Sequence, residues 1–284
     1  MKWQGRRISG NVEDRRRIGG KQVAVGGGIG GIILVILFAL LGGNPEDATR
    51  ILEQGGMETA AGETRPLTEE EIQESRFVGV VLAETEDVWN RIFQEAGRSY
   101  REPKLVLFSE RISSACGFAG AASGPFYCPG DERVYIDLDF FKQMQDRLEA
   151  GGDFALAYVI AHEIGHHVQN LLGITDKVMA QRSRLEEEEF NRLMVRLELQ
   201  ADFLAGVWAY YADRTAGLLE EGDIEEAMNA AAAVGDDRIM RQTQGYVVPD
   251  AFTHGTSEQR VRWFAKGFQT GDIAQGDTFK ADGL

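Results

Sequence analysis

Three of the four histidines in this chain, His162, His166 and His167, fall within six residues of an otherwise apolar run, FALAYVIAHEIGHHV. His162 and His166 are four positions apart, and Glu163 follows the first of them. On a helix, residues i and i+4 share one face, a turn apart. Two imidazoles so placed can grip a single tetrahedral zinc ion (Zn2+) at about 2.0–2.1 Å each. A glutamate next to the first ligand reaches water at that ion without taking a coordination position, which is what a general base requires. The competing explanation is a hydrogen-bonded histidine pair in a core. It has to find polar partners for several buried groups among apolar neighbours, and a metal supplies one. His167 lies roughly 140° around the helix from His162, so it is read as structural.

A catalytic zinc site needs a third protein ligand and one open position. Glu198, in the run Glu198-Leu199-Gln200-Ala201-Asp202, is the candidate, because the helix around it is apolar and a glutamate there needs a reason to be buried. Asp202 follows one turn later on the same face. Zinc-bound histidines usually give their second N–H to a carboxylate, carbonyl or water, so Asp202 is expected to hold His162 or His166. The acidic run Glu186–Glu189 is read instead as a solvated face. His254 is the remaining histidine. It is either a donor to the developing oxyanion, a further ligand, or a residue shaping the loop before the last helix; the donor role is taken forward. Tyr246 can also donate, but nothing in the sequence selects it.

These residues need elements to position them. Asp153 can N-cap a helix running to a stop at Gly173, and that helix carries the H-E-x-x-H string. A long helix is expected over Lys177–Tyr211, with a seam of Leu193, Leu197, Ala201, Leu204 and Trp208. Helical spacing also marks 77–93, 223–233, 257–269 and a helix capped by Asp139. Leu105–Phe108 and Val134–Leu138 read as strands, the second lying near an edge that aligns an extended peptide. Cys116–Pro129 reads as a loop. Helices dominate over a few short strands, so the class is α+β.

The 284 residues carry a formal charge of −15, which disfavours nucleic-acid binding, since phosphate contacts need clustered Lys/Arg. No P-loop or G-x-S-x-G string is present. Gly26, Gly28 and Gly31 spell G-x-G-x-x-G without a βαβ context, a chance match. Residues 1–22 form a basic leader containing Lys2, Arg6, Arg7, Arg15, Arg16, Arg17 and Lys21. The uncharged stretch 23–43 is, at about 1.5 Å per residue, long enough to cross a bilayer. Its basic flank puts the N-terminus in the cytoplasm and the body outside. A cleaved signal peptide is the rival; Ala39-Leu40-Leu41 is a poor cleavage site, while Leu41-Gly42-Gly43 stays open as one. The expected order is therefore leader 1–22, transmembrane helix 23–43, flexible linker 44–75 and catalytic domain 76–284, single-pass in the cell membrane. In an extracytoplasmic body Cys116 and Cys128 would form a disulfide; two free buried thiols are the alternative.

The blocks MKWQGRRISGNVEDRRR, GPFYCPGDERVYIDLDFF, GDFALAYVIAHEIGHHVQNLLG, LELQADFLAGVW and HGTSEQRVRWFAKGFQTGDIAQGDTF occur in this order. In them the chain resembles a bacterial family of neutral zinc metallopeptidases with one N-terminal membrane anchor. The resemblance implies a zincin-like fold, with His162 and His166 as metal ligands, Glu163 as the catalytic acid and Glu198 in the third-ligand place. The family pattern often has cysteines where this chain has Phe203 and Gly276. Both being absent together is natural if those two positions normally pair. The function expected is a membrane-anchored zinc peptidase acting on peptide or protein substrates. The alternative is a zinc-stabilised binding or quality-control scaffold without turnover, recognised by a fourth protein ligand closing the site.

Overall fold

The computed structural model describes residues 1–16, 66–109, 111–120, 124–138 and 151–282. In chain order the elements are β1 (Val12–Asp14), α1 (Glu69–Glu95), β2 (Lys104–Phe108), β3 (Arg111–Ser114), β4 (Gly117–Gly120), β5 (Phe126–Cys128) and β6 (Arg133–Asp137). Six helices come next: α2 (Asp153–Leu171), α3 (Ile174–Met179), α4 (Glu187–Ala216), α5 (Asp223–Ala233), α6 (Asp236–Gln244) and α7 (Ser257–Thr270). Short 3-10 turns occupy Pro249–Ala251 and Ile273–Gly276. The α+β class and the helical majority are as expected.

One sheet has the order β1-β2-β6-β5. β1, β2 and β6 run parallel, with Leu105 beside Val12 and Val134, while β5 is antiparallel to β6. The strand VYIDL is thus internal, and the edge near α2 belongs to β5. β3 and β4 form a separate hairpin. The stretch 116–129 is therefore not a plain loop: it holds β4 and β5. At four and three residues, GFAG and FYC, they are too short to carry an alternating pattern. Cys116 and Cys128 form a disulfide across it.

α2 is apolar nearly all round, the pattern of a buried helix. Phe154, Ala157, Tyr158, Ile160, Ala161 and Ile164 are almost wholly inaccessible. It is flanked by α1, α4 and α5, with β5 and β6 alongside. Phe154 stacks on Trp208 of α4, ring centroids 5.8 Å apart, and burial of each such side chain is worth about 1.5–3 kcal/mol. α4 and α7 touch through paired glycines. The space a Cβ on Gly206 would need is taken by the backbone of Phe264, Gly267 and Phe268, and that on Gly267 by the backbone of Phe203 and Val207. Two capping boxes start their helices: Thr68 with Glu71 on α1, and Thr256 with Gln259 on α7. Each satisfies two otherwise orphaned N–H groups.

Some boundaries differ from expectation. The long helix begins at Glu187, where Glu187, Glu188 and Glu189 occupy the first turn and favour the positive end of the helix dipole. Gly152, not Asp153, precedes α2. Residues 69–75, expected in the linker, open α1. The helix expected after Asp139 lies outside the described residues.

The leader corrects a larger expectation. β1 pairs with β2 in the main sheet, and Trp3 packs edge-on against Phe77 at 5.5 Å. The Met1 ammonium lies 2.9 Å from Asp153 and 3.3 Å from Asp223. Arg6 pairs with Glu84, Arg7 with Glu86 and Asp87, and Arg16 with Asp14 and Glu74. Among the described residues no helix is long and apolar enough to cross a membrane. The stretch 23–43 itself lies outside them. The transmembrane helix, and with it the single-pass placement of leader and body on opposite membrane faces, is therefore not supported. A leader that forms a strand in the body's own sheet cannot sit across a bilayer from it.

Candidate metal centre

α2 presents His162 and His166 toward α4. Gly165 sits between them for a steric reason: a Cβ there would lie 3.0 Å from the Ala201 carbonyl oxygen. Without a side chain at 165 the α4 backbone comes close, and Glu198, one turn before Asp202, meets the imidazoles. His162 Nε2 is 3.2 Å from Glu198 Oε2, and His166 Nε2 is 3.5 Å from Glu198 Oε1. Donor atoms at about 2.0–2.1 Å from a tetrahedral zinc ion stand about 3.3 Å apart, so these separations suit such an ion. One ligand atom from each of the three residues lies within 4.8 Å of the others. Two imidazole nitrogens and one carboxylate are donors zinc favours.

The far side of each ring is also held. His162 Nδ1 is 2.8 Å from Asp202 Oδ1, so Asp202 serves His162 and not His166. Asp202 is fully buried and accepts from Arg260 Nε at 2.8 Å, from Arg260 Nη2 at 2.9 Å and from the Tyr158 hydroxyl. His166 Nδ1 faces Gln169 Oε1 at 2.9 Å.

The electrostatics follow from these neighbours. Burial alone would push the Glu198 carboxyl up, but the nearby His166, His254 and His162 hold it well below the usual range. Burial likewise opposes ionisation of Asp202, and Arg260, then His162, hold its carboxyl low. Both carboxylates are therefore charged in this arrangement.

Glu163 is buried beside His162 on α2. His254 is near enough to Glu198 for each to feel the other's charge. Its Nδ1 lies 3.2 Å from Asp236 Oδ1, while Asp236 Oδ2 accepts the backbone N–H groups of Thr253, His254 and Gly255 at 2.8, 2.7 and 3.0 Å. One carboxylate thus holds both the loop and the ring. Tyr246 is 63% exposed on that loop's approach. His167 turns away, accepting at Nδ1 from the Tyr127 hydroxyl and donating from Nε2 to the Arg101 carbonyl.

Four residues of this neighbourhood escaped the sequence reading. Gln169 is three positions from His166, hence on its face. Arg260 shares a helical stripe with the apolar Trp263, Phe264 and Gly267, and a cation on an apolar stripe signals a buried partner. Tyr158 precedes His162 by one turn. Asp236 lies in a polar stretch with no pattern to mark it.

Residues 1–279 match the family described as "Putative neutral zinc metallopeptidase". The chain belongs to that family. It is 49% identical over 285 residues to the uncharacterized protein YpfJ of Escherichia coli K12, covering 98% of this chain and 99% of that one. It is 43% identical over 220 residues to the uncharacterized protein Rv2575 of Mycobacterium tuberculosis and to Mb2605 of Mycobacterium bovis, covering 74% of this chain and 73% of each. No solved structure matches it.

Proposed function

We propose that this chain is a zinc-dependent peptidase in which His162, His166 and Glu198 hold the metal and Glu163 is the general base. The observation that carries this reading is the convergence of two Nε2 atoms on one buried carboxylate, beside a second acid. When bound, zinc would supply Lewis-acid polarisation and lower the pKa of water at the site to about 7. Glu163 takes the proton of the attacking water and passes it to the leaving amine. His254, aligned by Asp236, donates to the carbonyl oxygen as negative charge develops there. The edge of β5, whose Tyr127 hydroxyl lies 3.0 Å from Asn170 of α2, suits alignment of an extended peptide chain.

A non-catalytic scaffold needs a closed, four-ligand site. Among the described residues the cluster numbers three, and His254 is not in it, which favours an open position and turnover. The test is a peptide-library cleavage assay with metal analysis of wild type and Glu163→Gln. Stoichiometric zinc in both proteins, with hydrolysis only in wild type, is expected. Undiminished hydrolysis by Glu163→Gln would remove Glu163 from its role.

A further inference from the structure

On the zinc-peptidase reading each imidazole turns its Nε2 lone pair inward, which requires the ring proton on Nδ1. Asp202 secures this for His162, since a carboxylate only accepts. The partner of His166 is an amide, which can present either an oxygen or an NH2 group. We infer that Gln169 is a positioning residue that fixes the His166 tautomer, and that its own orientation is imposed by the α4 backbone and the C-terminal turn through Gln200.

Gln169 is fully buried. Its Nε2 lies 2.7 Å from the Leu197 carbonyl oxygen and 3.1 Å from Gln200 Oε1. A carbonyl only accepts, so the end of Gln169 facing Leu197 is the NH2 group. Its oxygen is thereby turned to His166 Nδ1, and that nitrogen must be the donor. The reversed amide would set oxygen against oxygen at Leu197 and N–H against N–H at His166, around a side chain that is fully buried. Gln200 is locked in the same way. Its Nε2 donates to the Gly276 carbonyl at 2.8 Å, so its oxygen is the end left to receive Gln169.

The relay therefore runs from Gly276 through Gln200 and Gln169 to His166. Because Leu197 precedes Glu198, the same amide also ties α2 to the turn of α4 that carries the third ligand. Gly276 is seated against α4 by Phe203, whose ring fills the room a Cβ would need. The two positions where the family pattern often has cysteines are thus in contact here.

The test is zinc affinity of the full chain, measured by competition with a chelator, together with the visible spectrum of the cobalt-loaded protein. Gln169→Met keeps the volume and removes all three side-chain hydrogen bonds, to His166, Leu197 and Gln200; zinc affinity should fall about 10–100-fold and the cobalt spectrum should change. Gln169→Glu keeps an oxygen for His166 and, as the buried acid, an O–H for Leu197, losing only the donor to Gln200, so it should bind zinc more tightly than Gln169→Met and keep the wild-type cobalt spectrum. Gln200→Met should weaken zinc binding less than Gln169→Met, and it decides the matter if Gln169→Met does not fold. Wild-type affinity in Gln169→Met, an equal loss in Gln169→Glu, or wild-type affinity in Gln200→Met would overturn the relay while the peptidase reading stands. Failure of the wild-type chain to bind zinc in the same titration would overturn both.

Discussion

A buried carboxylate has to be neutralised and hydrogen-bonded to stay ionised, and Asp202 meets both conditions. Arg260 supplies the charge from α7 and is itself only 4% exposed. Removing one partner of such a pair costs far more than the pair is worth, because the other charge is left in the interior. Arg260→Met should therefore destabilise the metal-free protein by about 3–5 kcal/mol in urea unfolding. A loss within the range of ordinary surface substitutions would mean that Asp202 does not depend on this cation. The asymmetry between the two histidines also belongs at this scale. His162 is backed by a paired carboxylate and His166 by a neutral amide. The sequence carried the carboxylate visibly, as Asp202 four residues after Glu198. It carried the amide only as one polar residue on the helix face after His166.

Helices become neighbours through the residues that let them approach. Gly165 admits the α4 backbone to α2, and the Gly206–Gly267 contact brings α7 onto α4, so that Arg260 reaches Asp202. Gly206→Ala places a methyl against the backbone of Phe264 and Phe268. Overpacking of this kind costs about 1–3 kcal/mol or more, and the α4–α7 separation should widen. The expected result is a lower urea midpoint with weakened zinc binding; an unchanged midpoint would show that the helices have slack. At this level α2, α5, α7, β2 and β6 were legible, because apolar periodicity and caps agree there. α6 was not, because DDRIMRQTQ holds only two apolar residues, the adjacent Ile239 and Met240. α4 starts ten residues later than the spacing predicts, although the acidic run Glu186–Glu189 is itself the signal of a helix N-terminus. β1 is three residues long, VED, and owes its strand form to the pairing partner alone.

At the scale of the whole molecule, the basic leader and the acidic body are complementary parts of one fold. In the sequence their charge asymmetry suggested two compartments; in three dimensions it is internal pairing. Glu13 of β1 illustrates the linkage to pH. Burial would raise its carboxyl, but hydrogen bonds from Arg15 and Lys104, together with Arg133, bring it down from 4.5 to about 2. Since the folded value is depressed, its stabilising contribution is present above about pH 4.5 and is lost as the pH falls toward about 2. Glu13→Gln should thus unfold at lower urea than wild type at neutral pH, and the gap should close over that interval. A gap that persists at the acid end would assign the effect to shape and not to charge. Arg16 joins the leader to the first helix. Its guanidinium grips Asp14, the Glu71 carbonyl at 2.6 Å and Glu74 at 3.0 Å, so the backbone departs and comes back at a single clasp. Severing the chain anywhere between those two points would leave a two-piece molecule. The short fragment would stay seated like a bound peptide, released only at the rate its sheet ladder and ion pairs let go.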